Sequence, residues 1–184
     1  MEAAAGEGAR RQRATPAEAR ALAHPFRLRI LRLCLDEELT NKELAQRLGK
    51  DPGTVLHHVR MLVDNGFLAA GEPRRGRRNS RERPYLATRK SWILDFGEEH
   101  AGVYVAVAEA FVAELREAGP KAVVEWSRLG VRLSRDDRDE LVRRMQELVA
   151  DAARRDDPEG EPLGLYLAVH RRPRTRPNAH KETA

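Results

Sequence analysis

The sequence predicts an α+β, mainly helical chain: a winged helix-turn-helix, then a long dimerisation helix, then a small strand-helix-strand region. Three observations predict it. Two short helix-length segments, each with its own start and stop signals, are separated by only a few residues. Directly after them the hydrophobic period changes from helical to alternating, on either side of an arginine-rich loop. From Ser91 onward the helical period returns and the charge balance changes sign. Residues 1–90 carry 19 Lys/Arg against 11 Asp/Glu, a net of +8, and residues 91–184 carry 15 against 18, a net of −3. A basic front half suits a polyanionic partner, and the acidic back half needs another role.

Residues 1–14 are small, polar and basic, and are expected to be disordered. Thr15 can cap a helix, Pro16 suits its first turn and Glu18 completes a capping box. Leu22, Phe26, Ile30, Leu31, Cys34 and Leu35 follow at roughly helical spacing, and His24-Pro25 demands a bend or a restart. Cys34 lies on that stripe and reads as core. In TNKELAQRLG, Thr40 and Glu43 form a second capping box, Leu44 and Leu48 face inward, and Gly49 ends the helix. Asp51-Pro52 opens the next helix, which stops at Asn65-Gly66. FLAAGEP and RPYLATR then read as strands of a hairpin, the wing.

Beyond Ser91, Val103, Val107, Phe111 and Leu115 recur every four residues among small side chains, up to Gly119-Pro120. Such a stripe suits close approach of a partner helix. Leu129, Val131 and Leu133 alternate as a strand, and Ser134 with Asp137 caps a helix carrying Leu141, Met145, Leu148 and Val149. After the turn DDPEGEP, Leu163, Leu165, Leu167 and Val169 alternate as a second strand. The domains expected are a disordered basic segment (1–14), a winged helix-turn-helix (15–90), a dimerisation and effector region (91–170) and a basic tail (171–184).

On a wheel of about 100° per residue, Val55, Val59, Leu62 and Val63 share one face of the helix around 52–65. The opposite face gathers Gly53, His57, Arg60 and Asp64, with Thr54 at its edge. A donor-rich helix starting at a tight turn can enter a DNA major groove by its N-terminus. Thr54, His57 and Arg60 then reach base edges or phosphate, Gly53 allows close backbone approach, and the helix N-terminus attracts phosphate. Leu56 and His58 flank the apolar face and read as packing residues. Arg74, Arg75, Arg77, Arg78, Arg81 and Arg83 fall within ten positions at the hairpin tip, placed for phosphate contact or minor-groove insertion.

The segments HPFRLRILRLC, TNKELAQRLG and GTVLHHVRMLVDNGFL, followed by the arginine hairpin and PYLAT, resemble the ArsR-like winged helix-turn-helix regulators over about residues 15–90. The resemblance implies a homodimer on double-stranded DNA, with two recognition helices in adjacent major grooves and Thr54, His57 and Arg60 as readers. It departs at Leu56, where the family often has a small polar residue. It departs again at Cys34, a lone cysteine where metal-sensing members often carry a pair. Asp95, Glu98, Glu99 and His100 offer acid and histidine donors, but read as a solvated helix face.

These features lead to a sequence-specific, DNA-binding transcription regulator. The alternative is a winged-helix module that contacts nucleic acid or protein without operator specificity. No catalytic residue is expected, since the chain lacks a nucleophile elbow, a phosphate loop and a clustered His/Asp/Cys set. No cofactor and no metal are expected either, because the adjacent His57 and His58 point about 100° apart. Residues 91–170 leave room for an unidentified small-molecule effector beside Tyr104, Trp126 or Tyr166, although isolated aromatics at these spacings more often read as core. The single cysteine and the absence of a long apolar run point to a cytoplasmic protein without membrane contact.

Overall fold

The computed structural model describes residues 11–75 and 81–172. The described residues divide into two compact units, one within 11–130 with 157–159 and one within 131–156 with 160–172.

The first unit begins with strand β1 (Gln12–Arg13), so order starts before Thr15, where it was expected. β1 pairs in parallel with β7 (Leu94–Asp95), and Arg13 also faces the carboxylates of Asp95 at 3.4 Å and Glu99 at 2.5 Å. Helix α1 (Pro16–Leu22) opens with the Thr15/Glu18 capping box. The chain restarts at His24-Pro25 as α2 (Pro25–Leu33), where His24 Nδ1 accepts the Phe26 N–H at 3.2 Å. Strand β2 (Leu39–Thr40) runs straight into α3 (Asn41–Leu48). Thr40 is therefore both the last residue of a strand and the N-cap of a helix, with Glu43 closing the second capping box. Gly49, at φ 60, ends α3 in the left-handed region where glycine has no Cβ penalty.

Helix α4 (Pro52–Asp64) buries Val55, Val59 and Leu62 completely. They join Leu22, Ile30, Cys34, Leu44, Phe67 and Val103 in one core. The Cys34 thiol is pushed up to about 12 by burial, which keeps it protonated and inert. The wing follows as β3 (Leu68–Ala70), β4 (Arg74–Arg75), β5 (Arg81–Glu82) and β6 (Pro84–Ala87). β6 lies between β2 and β3, antiparallel to both, while β4 and β5 form a separate outer rung. The hairpin thus continues into the arginine loop, beyond the two strands the sequence predicted.

Helix α5 (Ala101–Ala118) turns Val103, Ala106 and Ala110 inward and packs on α1 and α2. Arg32 reaches Glu114 at 3.7 Å, and Arg29 pairs with Glu117. β7 and α5, which lie beyond the boundary expected at residue 90, fall in the same compact unit as the helix-turn-helix and wing.

The second unit contains α6 (Arg135–Arg154), capped by Ser134 accepting from the Asp137 N–H at 3.1 Å. None of its residues is buried. Ion pairs run along its own surface, Arg143 to Glu140 at 2.6 Å and to Glu147 at 2.5 Å, and Arg155 to Asp151 at 2.5 Å. The strands expected at 129–133 and 163–169 are not formed; among the described residues neither stretch joins a ladder. Their alternating apolar side chains stay in solvent, Leu129 at 83% and Leu165 at 60% exposure. The basic tail expected from residue 171 lies outside the described residues, apart from Arg171 and Arg172, which join no element.

No helix among the described residues is long and apolar enough to cross a membrane.

Candidate nucleic-acid interface

The turn between α3 and α4 is only Gly49-Lys50-Asp51, and Asn41 Nδ2 reaches across it to the Pro52 carbonyl at 2.9 Å. That bond, with the shared core, fixes α4 on α3. On one face of α4 Val55, Val59 and Leu62 are buried and Val63 half-buried, and Gly53, Thr54, His57, Arg60 and Asp64 all lie on the exposed side. The side-chain split read from the wheel is the split observed.

The N-terminus of α4 differs from expectation. Asp51 Oδ1 accepts the N–H groups of Gly53 at 2.8 Å and Thr54 at 3.2 Å. A carboxylate already holds the amide donors that were expected to attract phosphate. The exposed side chains of Thr54, His57 and Arg60 therefore carry the polar chemistry of this face. A Cβ on Gly53 would lie 3.0 Å from Asp51 Oδ1, so glycine also makes room for the cap.

Arg74, Arg75, Arg81 and Arg83 are all exposed. Arg74 Nη2 also reaches Glu43 Oε2 at 3.1 Å, linking the outer wing to the cap of α3. The Thr40 caps hold the Glu43 carboxyl below the usual carboxylate range, with Arg74 adding to the effect. Arg81 and Arg83 line an open hollow with Glu72 and Pro73. Arg77 and Arg78 lie outside the described residues. The wing root is tied by Lys90, whose ammonium meets Glu18 at 2.6 Å, the Asn65 carbonyl at 2.9 Å and the Phe67 ring at 5.4 Å. One cation thus joins the start of α1, the end of α4 and the exit from the wing.

Beneath α4 lies a ring cluster absent from the sequence reading. His58 sits 5.0 Å from His24, 5.0 Å from Phe26 and 5.5 Å from His57, centroid to centroid. Burial, then the positive neighbours His24, Arg27 and His57, push the His58 imidazole down to about 4. His24 is lowered as well, by burial and by Arg27. Arg27 itself is 7% exposed and donates to the carbonyls of Ala21 and Arg20. Its position was the available signal, since it shares the helical stripe of Ile30, Leu31 and Cys34. Among the described residues no group of three or more His, Cys, Asp or Glu could hold a metal ion.

Residues 22–69 match the family described as a helix-turn-helix domain. Among solved structures, the chain is similar to reduced HlyU from Vibrio cholerae at 20% identity and a TM-score of 0.34, covering 52% of this chain and 84% of that one. It is similar to MarR at 24% identity and a TM-score of 0.30, covering 78% and 81%. It is also similar to the M. tuberculosis transcriptional regulator MosR at 18% identity and a TM-score of 0.29, covering 78% of each. No curated protein matches. The fold is a winged helix-turn-helix, with the helix-turn-helix domain at residues 22–69 and the wing closing directly behind it.

Proposed function

We propose that this protein is a sequence-specific, DNA-binding transcription regulator that acts as a homodimer in the cytoplasm. The observation that carries the reading is the division of α4: one face turns Val55, Val59 and Leu62 into the core, and the other presents Thr54, His57 and Arg60 beside an arginine hairpin. In the major groove those three side chains read base edges, and Arg74, Arg75, Arg77, Arg78, Arg81 and Arg83 engage phosphates or the minor groove. Recognition then rests on α4, and much of the affinity on the wing.

The homodimer is supported by the outer face of α5. Val105, Ala108, Val112 and Leu115 follow a 3-4-3 spacing, the pattern of a helix-pairing seam, and Val105 and Val112 are 58% and 41% exposed. Two copies double the half-sites read. Within winged helix-turn-helix proteins, the ArsR-like group remains the resemblance that the segments of residues 15–90 carry.

The test is binding to a site selected from genomic DNA, compared with scrambled DNA at fixed salt. A specificity ratio of about 10³ or more is the expected result. A ratio under about tenfold overturns the reading in favour of a module that binds without operator specificity. Replacing Arg75, Arg81 and Arg83 together by alanine should weaken binding on every sequence and flatten its salt dependence, by about 0.9 in log–log slope per lost phosphate contact.

A further inference from the structure

Arg27 occupies a position where a charge is costly. It projects from α2 into the space below α4 and is 7% exposed. A guanidinium there must place its N–H groups on acceptors, because an unpaired buried charge is strongly destabilising. Two of its directions end on the carbonyls of Ala21 and Arg20, the latter at 2.7 Å, in the last turn of α1. The third, Nη1, lies 3.4 Å from His58 Nδ1.

That third contact allows one proton arrangement. A guanidinium only donates, so His58 Nδ1 must offer its lone pair, and the ring must be neutral with its proton on Nε2. The rest of the environment keeps it there. The titratable and charged groups facing His58 are Arg27 from α2, His24 from the turn before α2 and His57 from its own helix, and none is acidic. His24 in turn uses its own Nδ1 as an acceptor for the Phe26 N–H, which favours its neutral form. His58 is thus held by the guanidinium and by the rings of His24 and Phe26. The exposed His57 stands edge-on to it at 5.5 Å.

We propose that Arg27 is a positioning residue for DNA recognition: tied to the end of α1, it fixes the tautomer and orientation of His58, and through that ring the aim of His57 on the reading face of α4. The proposal rests on the DNA-binding reading above. Arg27 itself touches no base, and its effect is on discrimination among sites. The mechanism also couples the α1–α2 restart to the recognition helix, so a change in the His24-Pro25 turn is transmitted to the groove-facing surface.

The experiment has two arms on the full-length protein. In the first, long-range nitrogen–proton NMR of the imidazoles reads the His58 tautomer and its titration without DNA. The wild type should show Nε2–H and stay neutral until the pH approaches about 4. Arg27→Met should give mixed tautomers and a titration midpoint displaced toward the ordinary histidine range. A wild-type ring protonated on Nδ1 overturns the proposal without any variant, as does a tautomer and titration unchanged in Arg27→Met.

In the second arm, binding to the selected site and to single-base changes within it is measured. Arg27→Met should lose about tenfold in discrimination at the base facing His57, the low end of what one base contact supplies, with an unchanged salt slope. His58→Phe, which keeps a ring but removes the acceptor, should show the same loss. Undiminished discrimination in both variants overturns the proposal. A wild type with no site preference overturns the DNA-reading function instead, and the NMR arm then still decides the tautomer.

Discussion

Helices α4 and α6 both carry an apolar stripe, and the two stripes meet opposite environments. Val55, Val59 and Leu62 of α4 are fully buried, whereas α6 buries no residue and leaves Leu148 57% exposed. Both helices have side-chain N-caps, Asp51 and Ser134. What separates them is how much of each is buried. α4 packs against α2, α3 and β3, while α6 is supported by ion pairs between its own side chains. Good local signals make a helix, and neighbouring elements decide whether its stripe becomes core.

The comparison breaks most directly by truncating each stripe. Leu62→Ala should cost about 2–5 kcal/mol by urea unfolding, because it leaves a cavity in a closed core. Leu148→Ala should stay within about 0.5 kcal/mol. Equal costs would mean that the α6 stripe is packed in solution.

A smaller effect belongs to Thr40, which serves a strand and a helix at once. Thr40→Ala should cost about 1 kcal/mol for the lost cap, read from the same unfolding curves. Ser134→Ala should leave the global unfolding midpoint unchanged and reduce only helicity, measured by circular dichroism.

The pH dependence sharpens the contrast further. The folded state holds His58 at about 4, below its ordinary 6.5, so the unfolded chain binds the proton more readily. The stability linked to this group is complete above about 6.5 and is lost as the pH falls from there toward 4. His58→Phe should flatten that fall in a series of unfolding curves. The surface pairs of α6 give the smallest effect: Glu140→Gln should leave the unfolding transition where it is, since exposed ion pairs contribute little.

The parts legible in the sequence were those set by local chemistry. Both capping boxes, the His24-Pro25 restart, the Gly49 stop and the two faces of α4 follow from spacings of three or four residues. Distant pairings were not legible. Nothing near Gln12 signals that it pairs with Leu94, and nothing near Lys90 announces its contacts with Glu18 and Asn65. The misread strands at 129–133 and 163–169 have the same origin, since alternation says that a segment fits a half-buried surface without supplying one. At the candidate interface the exposure of Thr54, His57 and Arg60 was legible from periodicity. Arg27 was not, because a charge on an apolar stripe has meaning only once the carbonyls that receive it are known.

The position of β6 between β2 and β3 has a consequence for motion. β2, which leads into α3, and β3, which follows α4, are both paired with β6, and Tyr85 of that strand is a partner of each. Amide protons in this ladder should therefore exchange with solvent as a group, through one opening event shared by helix-turn-helix and wing. The outer rung beyond Gly71 and Pro84 is held by its two paired positions and by ion pairs to α3, Arg74 with Glu43 and Lys42 with Glu82. The hairpin is thus tied at its base to the strands beside α3 and α4, and through Arg74 to the cap of α3.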